Sequence, residues 1–129
     1  MITIINYGAG NLFSVEKAFS ALGADVRVSS EAADILSSEK IVLPGVGAFG
    51  DCMNQLNASG LVPAIRESIA RGVPLLGICV GLQILFEGSE ESSGVEGLGL
   101  LKGHVSKISA PYEKIPHMGW NSLDVAENY

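Results

Sequence analysis

The sequence is short of basic residues. Lysine and arginine together number 8, against 14 aspartates and glutamates, which gives a formal net charge of −6. The basic residues do not cluster anywhere along the chain. Proteins that bind nucleic acids or anionic membrane surfaces use grouped Lys and Arg side chains to neutralise phosphate. We therefore expect neither nucleic acid nor membrane as a partner.

Long apolar runs are also missing. The longest uncharged apolar stretch extends from Val73 to Phe86 and is interrupted by two glycines and a glutamine. It is shorter than the ~18 apolar residues that a spanning helix needs. The first residues enter a strand-like segment directly, without the cationic start of a secretion signal. We expect neither a spanning helix nor a secretion signal.

Cysteine is scarce, with only Cys52 and Cys79, and the two do not form a CxxC motif. A reducing, cytoplasmic location is the simplest interpretation, although the sequence leaves a disulfide between them open. We expect neither a metal ion nor a cofactor. The 129 residues allow a single domain with a real core, and no repeat or low-complexity linker interrupts them.

Strand-like and helix-like segments alternate along the chain, which is typical of a parallel sheet with helices on both faces. The predicted strands are residues 2–5, 24–28, 41–43 and 73–78. The predicted helices are 12–22, 51–58, 63–70 and 80–86. The first of these helices has an apolar stripe at Leu12, Val15, Phe19 and Leu22. Residues 87–99 predict an exposed loop, and 100–108 and 119–125 predict two further strands, which we expect to be antiparallel.

Cys79 lies between Gly77 and Gly81, after an apolar strand and before an apolar helix. This is the layout of a nucleophile elbow, with sulfur in place of the serine oxygen. The N–H groups that begin the following helix favour a thiolate at this position. The alternative is a buried cysteine that behaves as a small hydrophobic residue. The flanking glycines and the strand–helix junction favour the nucleophile.

A glycine-rich loop, Leu43–Gly50, follows the third strand and matches G-x-G-x-x-G. A dinucleotide site would need an acidic residue at a strand end ~20 positions later, and the nearest, Glu67, falls in a predicted helix. We therefore favour a loop whose N–H groups, together with that of Val80, bind an oxyanion. A glycine-rich turn without a ligand remains the alternative.

A thiol nucleophile needs a base, which is normally a histidine oriented by a third group. The chain has two histidines, His104 and His117, and neither belongs to a His-x-Glu pair. Each is better interpreted as a structural or interfacial residue than as the base.

Four motifs together resemble a known family. The segment Gly77–Gln83 resembles the nucleophile motif of class I glutamine amidotransferases. The segments Asn6–Asn11, Leu43–Gly50 and Pro116–Asn121 are similar to those of the glutaminase subunits of imidazole glycerol phosphate synthase, which serve histidine biosynthesis. The resemblance spans essentially all 129 residues. It implies an α/β, flavodoxin-like fold, of which residues 1–129 form an incomplete, N-terminal portion.

The resemblance also implies roles for single residues. Cys79 would attack the side-chain amide of glutamine, and Val46, Gly47 and Val80 would form the oxyanion hole. Gln83 and Glu91 would bind the substrate, although each could instead be an ordinary surface residue. Ammonia would pass to the cyclase subunit of a heterodimer. The residues expected to face that partner are Asn6, Tyr7, Asn11, Met118, Trp120 and Asn121. For Trp120, packing in the core is an equal alternative.

Members of this family are longer and carry a catalytic His-x-Glu motif near the C-terminus, which this chain lacks. We therefore expect residues 1–129 to hold only the thiol half of an active site and to turn over glutamine extremely slowly or not at all. Two other interpretations stay open. The chain could be a non-catalytic assembly module that self-associates through exposed sheet edges, or part of a glutaminase that serves another synthase.

Overall fold

The computed structural model describes residues 1–126 of the chain. Its main sheet has four parallel strands in the order β2–β1–β3–β4. The strands are β1 (Ile2–Ile5), β2 (Val26–Ser29), β3 (Lys40–Gly45) and β4 (Leu75–Cys79). Runs of Ile, Val and Leu are typical of parallel strands that are covered on both faces. The parallel α/β sheet expected from the sequence is confirmed.

Within residues 1–126, five α-helices connect and follow these strands. They are α1 (Leu12–Ala21), α2 (Ala32–Leu36), α3 (Phe49–Ser59), α4 (Val62–Ala70) and α5 (Val80–Gln83). The side chain of Asn11 accepts a hydrogen bond from Ser14 N and so caps α1. Gly60, with φ of +73°, ends α3 in the left-handed conformation. The sequence did not predict α2, and α5 ends earlier than the predicted helix 80–86.

The core lies on one face of the sheet. Ile5, Ile41 and Leu43 pack there in one cluster with side chains from α2, α3 and α4, and all three are at most 1 % exposed. Burial of each such side chain contributes roughly 1.5–3 kcal/mol to the stability of the folded chain. On the other face, α1 has no fully buried residue, and Leu76 remains 51 % exposed. This face is therefore only partly covered by the residues that the structure describes.

Of the two further strands expected, the one within 100–108 is present as a short strand, whereas the one at 119–125 and the antiparallel direction are wrong. Two short strands, β5 (Gly88–Ser89) and β6 (His104–Val105), form a separate parallel pair, and β5 lies inside the segment expected to be a loop. Residues 119–125 form no strand. Alternation of apolar and polar residues predicts a strand only where a neighbouring surface covers the apolar side, and residues 119–125 are exposed throughout.

We call residues 106–126 the tail. It contains no helix or strand and is exposed almost throughout. Trp120 is fully exposed and Met118 is 88 % exposed, so core packing of Trp120 does not occur among the described residues. Within residues 1–126, no helix has the length and apolar character needed to cross a membrane.

Candidate active site

The turn between β4 and α5 holds Cys79 in a strained conformation. Its backbone has φ of 56° and ψ of −121°, and within residues 1–126 it is the only residue other than glycine with a positive φ. Such a conformation costs of order 1–3 kcal/mol and persists only where the surrounding structure enforces it. The residue is exposed. The predicted elbow is thus present, with Cys79 at the carboxyl edge of the sheet.

Two glycines allow this turn by permitting close backbone contacts. A Cβ on Gly77 would lie 2.6 Å from Leu82 Cα, and a Cβ on Gly81 would lie 1.9 Å from the carbonyl oxygen of Leu43. Real side chains do not approach backbone atoms so closely. The glycines therefore let α5 pack directly over the ends of β3 and β4.

The glycine-rich loop after β3 lies against the elbow. Gly45 is the register partner of Cys79, and a Cβ on Gly45 would lie 2.5 Å from Gly81 N. Gly47 has φ of +79°, and its N–H donates to no acceptor among residues 1–126. The N–H of Val80 is the first of α5 and has no partner within the helix. Two uncommitted donors are thus carried on adjoining segments beside the thiol.

Two buried side chains hold this loop by hydrogen bonds to its backbone carbonyl oxygens. The Tyr7 hydroxyl donates to the carbonyl oxygen of Pro44 at 2.6 Å. The Cys52 thiol lies 3.2 Å from the carbonyl oxygen of Val46, to which it donates. Burial raises the pKa of Tyr7, and the neighbouring Cys52 thiol raises it further. Tyr7 was expected at a partner interface, but its side chain is only 5 % exposed.

Glu91 and Ser92 form a cap on the N-terminus of α3. Phe49 N donates to Glu91 Oε2 at 3.0 Å, and Gly50 N donates to Ser92 Oγ at 2.9 Å. The helix's own capping residue, Ala48, has no side-chain hydrogen bond to offer. Glu91 is therefore more than a solvated loop charge. The sequence did not point to Ser92, because a cap supplied from 42 residues away leaves no local signal.

Gln83 and Glu91 line one hollow of about 480 Å³. Ser89, Glu90 and Lys107 complete much of its wall. The two predicted substrate contacts are thus brought together. Cys79 is not among the residues that line this hollow; it directly precedes α5, the helix that ends at Gln83.

Neither histidine forms a hydrogen bond with the thiol among residues 1–126. The ring of His104 would lie 3.0 Å from a Cβ on Gly88, and His117 Nε2 lies 3.3 Å from Asn121 Nδ2 in the tail. Among residues 1–126, no side chain forms a hydrogen bond with the Cys79 thiol, and no three His, Cys, Asp or Glu side chains are grouped as metal ligands would be.

The residues expected to face a partner lie in two places. Asn6 and Asn11 belong to the turn between β1 and α1, where Asn6 accepts a hydrogen bond from Gly8 N at 3.3 Å. Met118, Trp120 and Asn121 lie in the exposed tail. Their interface role stays a prediction.

Comparison with known proteins gives consistent matches. A family model for class-I glutamine amidotransferases matches residues 3–127. The chain is 54 % identical over 122 residues to the imidazole glycerol phosphate synthase subunit HisH of Moorella thermoacetica, covering 95 % of this chain and 58 % of the relative. It is 48 % identical over 128 residues to the protein of the same name from Rhodopirellula baltica, covering 98 % and 62 %.

Solved structures support the fold. A crystal structure of a glutamine amidotransferase matches with a TM-score of 0.69 at 18 % identity, covering 82 % of this chain and 56 % of that one. A putative peptidase E from Listeria monocytogenes matches with a TM-score of 0.56 at 20 % identity, covering 67 % and 49 %. The chain spans about three fifths of the length of the two curated relatives.

Proposed function

Because this chain belongs to the class I glutamine amidotransferase family, we propose that it is the thiol-bearing part of a glutaminase that supplies ammonia to the cyclase subunit of imidazole glycerol phosphate synthase. The names of its relatives support the choice of synthase. The observation that carries the chemistry is the strained turn that exposes Cys79 beside the glycine-rich loop.

In the proposed reaction, Cys79 Sγ attacks the carbon of the glutamine side-chain amide. A C–S bond forms, and the electron pair of the carbonyl moves to its oxygen. The N–H groups of Val46, Gly47 and Val80 stabilise that oxyanion. The C–N bond then breaks, the leaving nitrogen takes a proton and departs as ammonia, and a thioester remains. Water attacks the thioester, releasing glutamate and restoring the thiol.

The substrate would lie in the hollow beside α5. Glu91 bonds to α3 through Oε2, and its other oxygen accepts no hydrogen bond from residues 1–126. A carboxylate there suits the α-ammonium group of glutamine. Gln83 would contact the same molecule from α5. The proton transfers need a base, and we assign it outside the described residues because neither histidine forms a hydrogen bond with the thiol.

The partner interface would combine the Asn6–Asn11 turn with the tail. Exposed aromatic and thioether side chains such as Trp120 and Met118 are typical of protein interfaces. The Tyr7 side chain is buried, so we exclude it from direct contact with the partner. Both cysteines are free thiols, which fits a reducing, cytoplasmic location.

We expect iodoacetamide to alkylate Cys79 in the purified chain and to spare Cys52, which is fully buried. L-Glutamine should slow this alkylation, whereas L-leucine should not. Glutamate release should stay low, because the missing base is worth about 10²–10⁴ in rate. Mass spectrometry locates the label, and a Cys79→Ser variant is the control. Alkylation that glutamine does not slow would contradict the proposed substrate, and rapid glutamate release would contradict the missing base.

A second proposal follows from the edge of the sheet. Among residues 1–126, nothing pairs with the outer edge of β4. Beside it, Phe19, Val42 and Leu76 line an apolar hollow. An open edge with an apolar face favours pairing with another strand. We propose that two copies of the chain associate through β4.

We expect the chain to dimerise with rising concentration in size-exclusion chromatography with light scattering. Leu76→Lys should shift the dimerisation to at least about tenfold higher concentration, since it places a charge in the apolar hollow beside the paired edge. Leu123→Lys is the matched control, because Leu123 is 86 % exposed and lies in the tail, outside the sheet and its hollow. A wild-type chain that is monomeric at every concentration would refute the association.

A further inference from the structure

We propose that Tyr7 and Cys52 are positioning residues of the glycine-rich loop: Cys52 fixes the direction of the Gly47 N–H, and Tyr7 holds the Pro44–Gly45 peptide against the elbow. This inference rests on the proposed function, since it takes the loop to be part of an oxyanion hole. Neither side chain touches the substrate hollow. Each acts through a backbone carbonyl of the loop.

The first contact comes from α3. Cys52 is fully buried in the first turns of that helix, and its thiol donates to the carbonyl oxygen of Val46. Val46 itself is 51 % exposed, so the bond ties an exposed loop to a buried anchor. A cysteine that served only to fill space would need no carbonyl acceptor.

The second contact comes from the end of β1. Tyr7 donates to the carbonyl oxygen of Pro44 through a bond of 2.6 Å. Its raised pKa keeps the hydroxyl protonated, and therefore a donor, through neutral and alkaline pH. Pro44 and Val46 flank Gly45, whose backbone contacts Gly81 in the elbow. The residues on either side of Gly45 are thus both held, Pro44 by a hydroxyl donor and Val46 by a thiol donor.

These bonds matter because a peptide unit is planar and trans. In such a unit the carbonyl and the following N–H point in opposite directions. When Cys52 holds the Val46 carbonyl, the direction of the Gly47 N–H is fixed as well. Gly47 has no side chain and a positive φ, so without that bond its peptide could rotate readily. The buried thiol supplies the restraint that the glycine lacks.

The test compares Cys52→Ala, Cys52→Ser and Tyr7→Phe with Ile35→Val, a buried control outside the loop. Hydrogen exchange of residues 44–50 reports the restraint directly. Butanal tests the donors of the oxyanion hole. Cys79 Sγ adds to its carbonyl carbon, the carbonyl electron pair moves to oxygen, and the thiol proton passes through water to that oxygen, giving a thiohemiacetal whose oxygen the hole should stabilise. The affinity of butanal is measured from the degree to which it slows the alkylation of Cys79 by iodoacetamide.

We expect Cys52→Ala and Tyr7→Phe to speed hydrogen exchange of residues 44–50 and to lower the affinity for butanal by about tenfold. Small misplacements of catalytic groups lower reaction rates by up to about 10². Cys52→Ser should keep the slow exchange and the affinity for butanal, because its hydroxyl can still donate to the Val46 carbonyl. The rate of alkylation without butanal should stay within about twofold of wild type.

Two outcomes would overturn the inference. In one, exchange of residues 44–50 is as slow in Cys52→Ala and Tyr7→Phe as in Ile35→Val. In the other, Cys52→Ser behaves like Cys52→Ala, which would show that packing alone matters. Failure of the proposed function looks different: butanal would then fail to protect Cys79 even in the wild-type chain, while the exchange measurement would still test the restraint. Tyr7→Phe retains the buried ring, so this variant can still test the inference if Cys52→Ala does not fold.

Discussion

Replacing Cys79 with glycine is expected to stabilise the chain while abolishing its thiol chemistry. The backbone at this residue has a positive φ that glycine adopts freely and other residues do not. Relief of that strain is worth of order 1–3 kcal/mol, and the greater freedom of glycine in the unfolded chain removes part of it. We expect a net gain of about 1 kcal/mol in the free energy of unfolding, measured by urea denaturation.

The matched control is Cys79→Ala, which removes the sulfur but keeps the Cβ that causes the strain. Both variants should be inert to iodoacetamide at position 79. Only the glycine variant should be more stable than the wild-type chain. Equal stability of the two variants would mean that the turn holds Cys79 without strain, and the central argument for its function would be lost.

Gly81→Ala is expected to be among the most damaging single changes in the chain. Its added methyl group would lie 1.9 Å from the carbonyl oxygen of Leu43 and 2.8 Å from the carbonyl carbon. Both atoms belong to the backbone of β3, so no side-chain rotation relieves the clash. Overpacking usually costs about 1–3 kcal/mol. Because the obstacle here is backbone, we expect the free energy of unfolding to fall by at least about 3 kcal/mol, measured by urea denaturation.

Gly119→Ala is the control for this substitution. A Cβ at Gly119 would meet nothing within 4 Å, and its φ is not in the left-handed range. Its effect should stay within about 0.5 kcal/mol, as for other surface changes. If Gly81→Ala were as mild as Gly119→Ala, the close packing of α5 on β3 would be refuted.

Local patterns predicted much of this fold. Apolar runs identified β1, β3 and β4, and the glycines around Cys79 identified the turn that follows β4. By contrast, α2 was missed because five residues are too few for a helical periodicity to show. The strand predicted at 119–125 failed because its apolar residues have no surface to cover them among the described residues.

The supports of the site were beyond prediction from local pattern. Tyr7 reaches Pro44 across 37 positions, and Glu91 reaches Phe49 across 42. Such contacts depend on how the sheet brings distant segments together. Cys52 is the exception, because its thiol reaches the carbonyl oxygen of Val46 over only six positions.

The double role of Glu91 has a thermodynamic consequence. The same carboxylate closes the N-terminus of α3 and lines the hollow beside α5. A cationic group that enters the hollow would meet the oxygen of Glu91 that the Phe49 N–H leaves free, so one side-chain position must serve both contacts. Occupancy of the hollow and stability of the first turn of α3 are therefore coupled, and each changes the free energy of the other by the same amount.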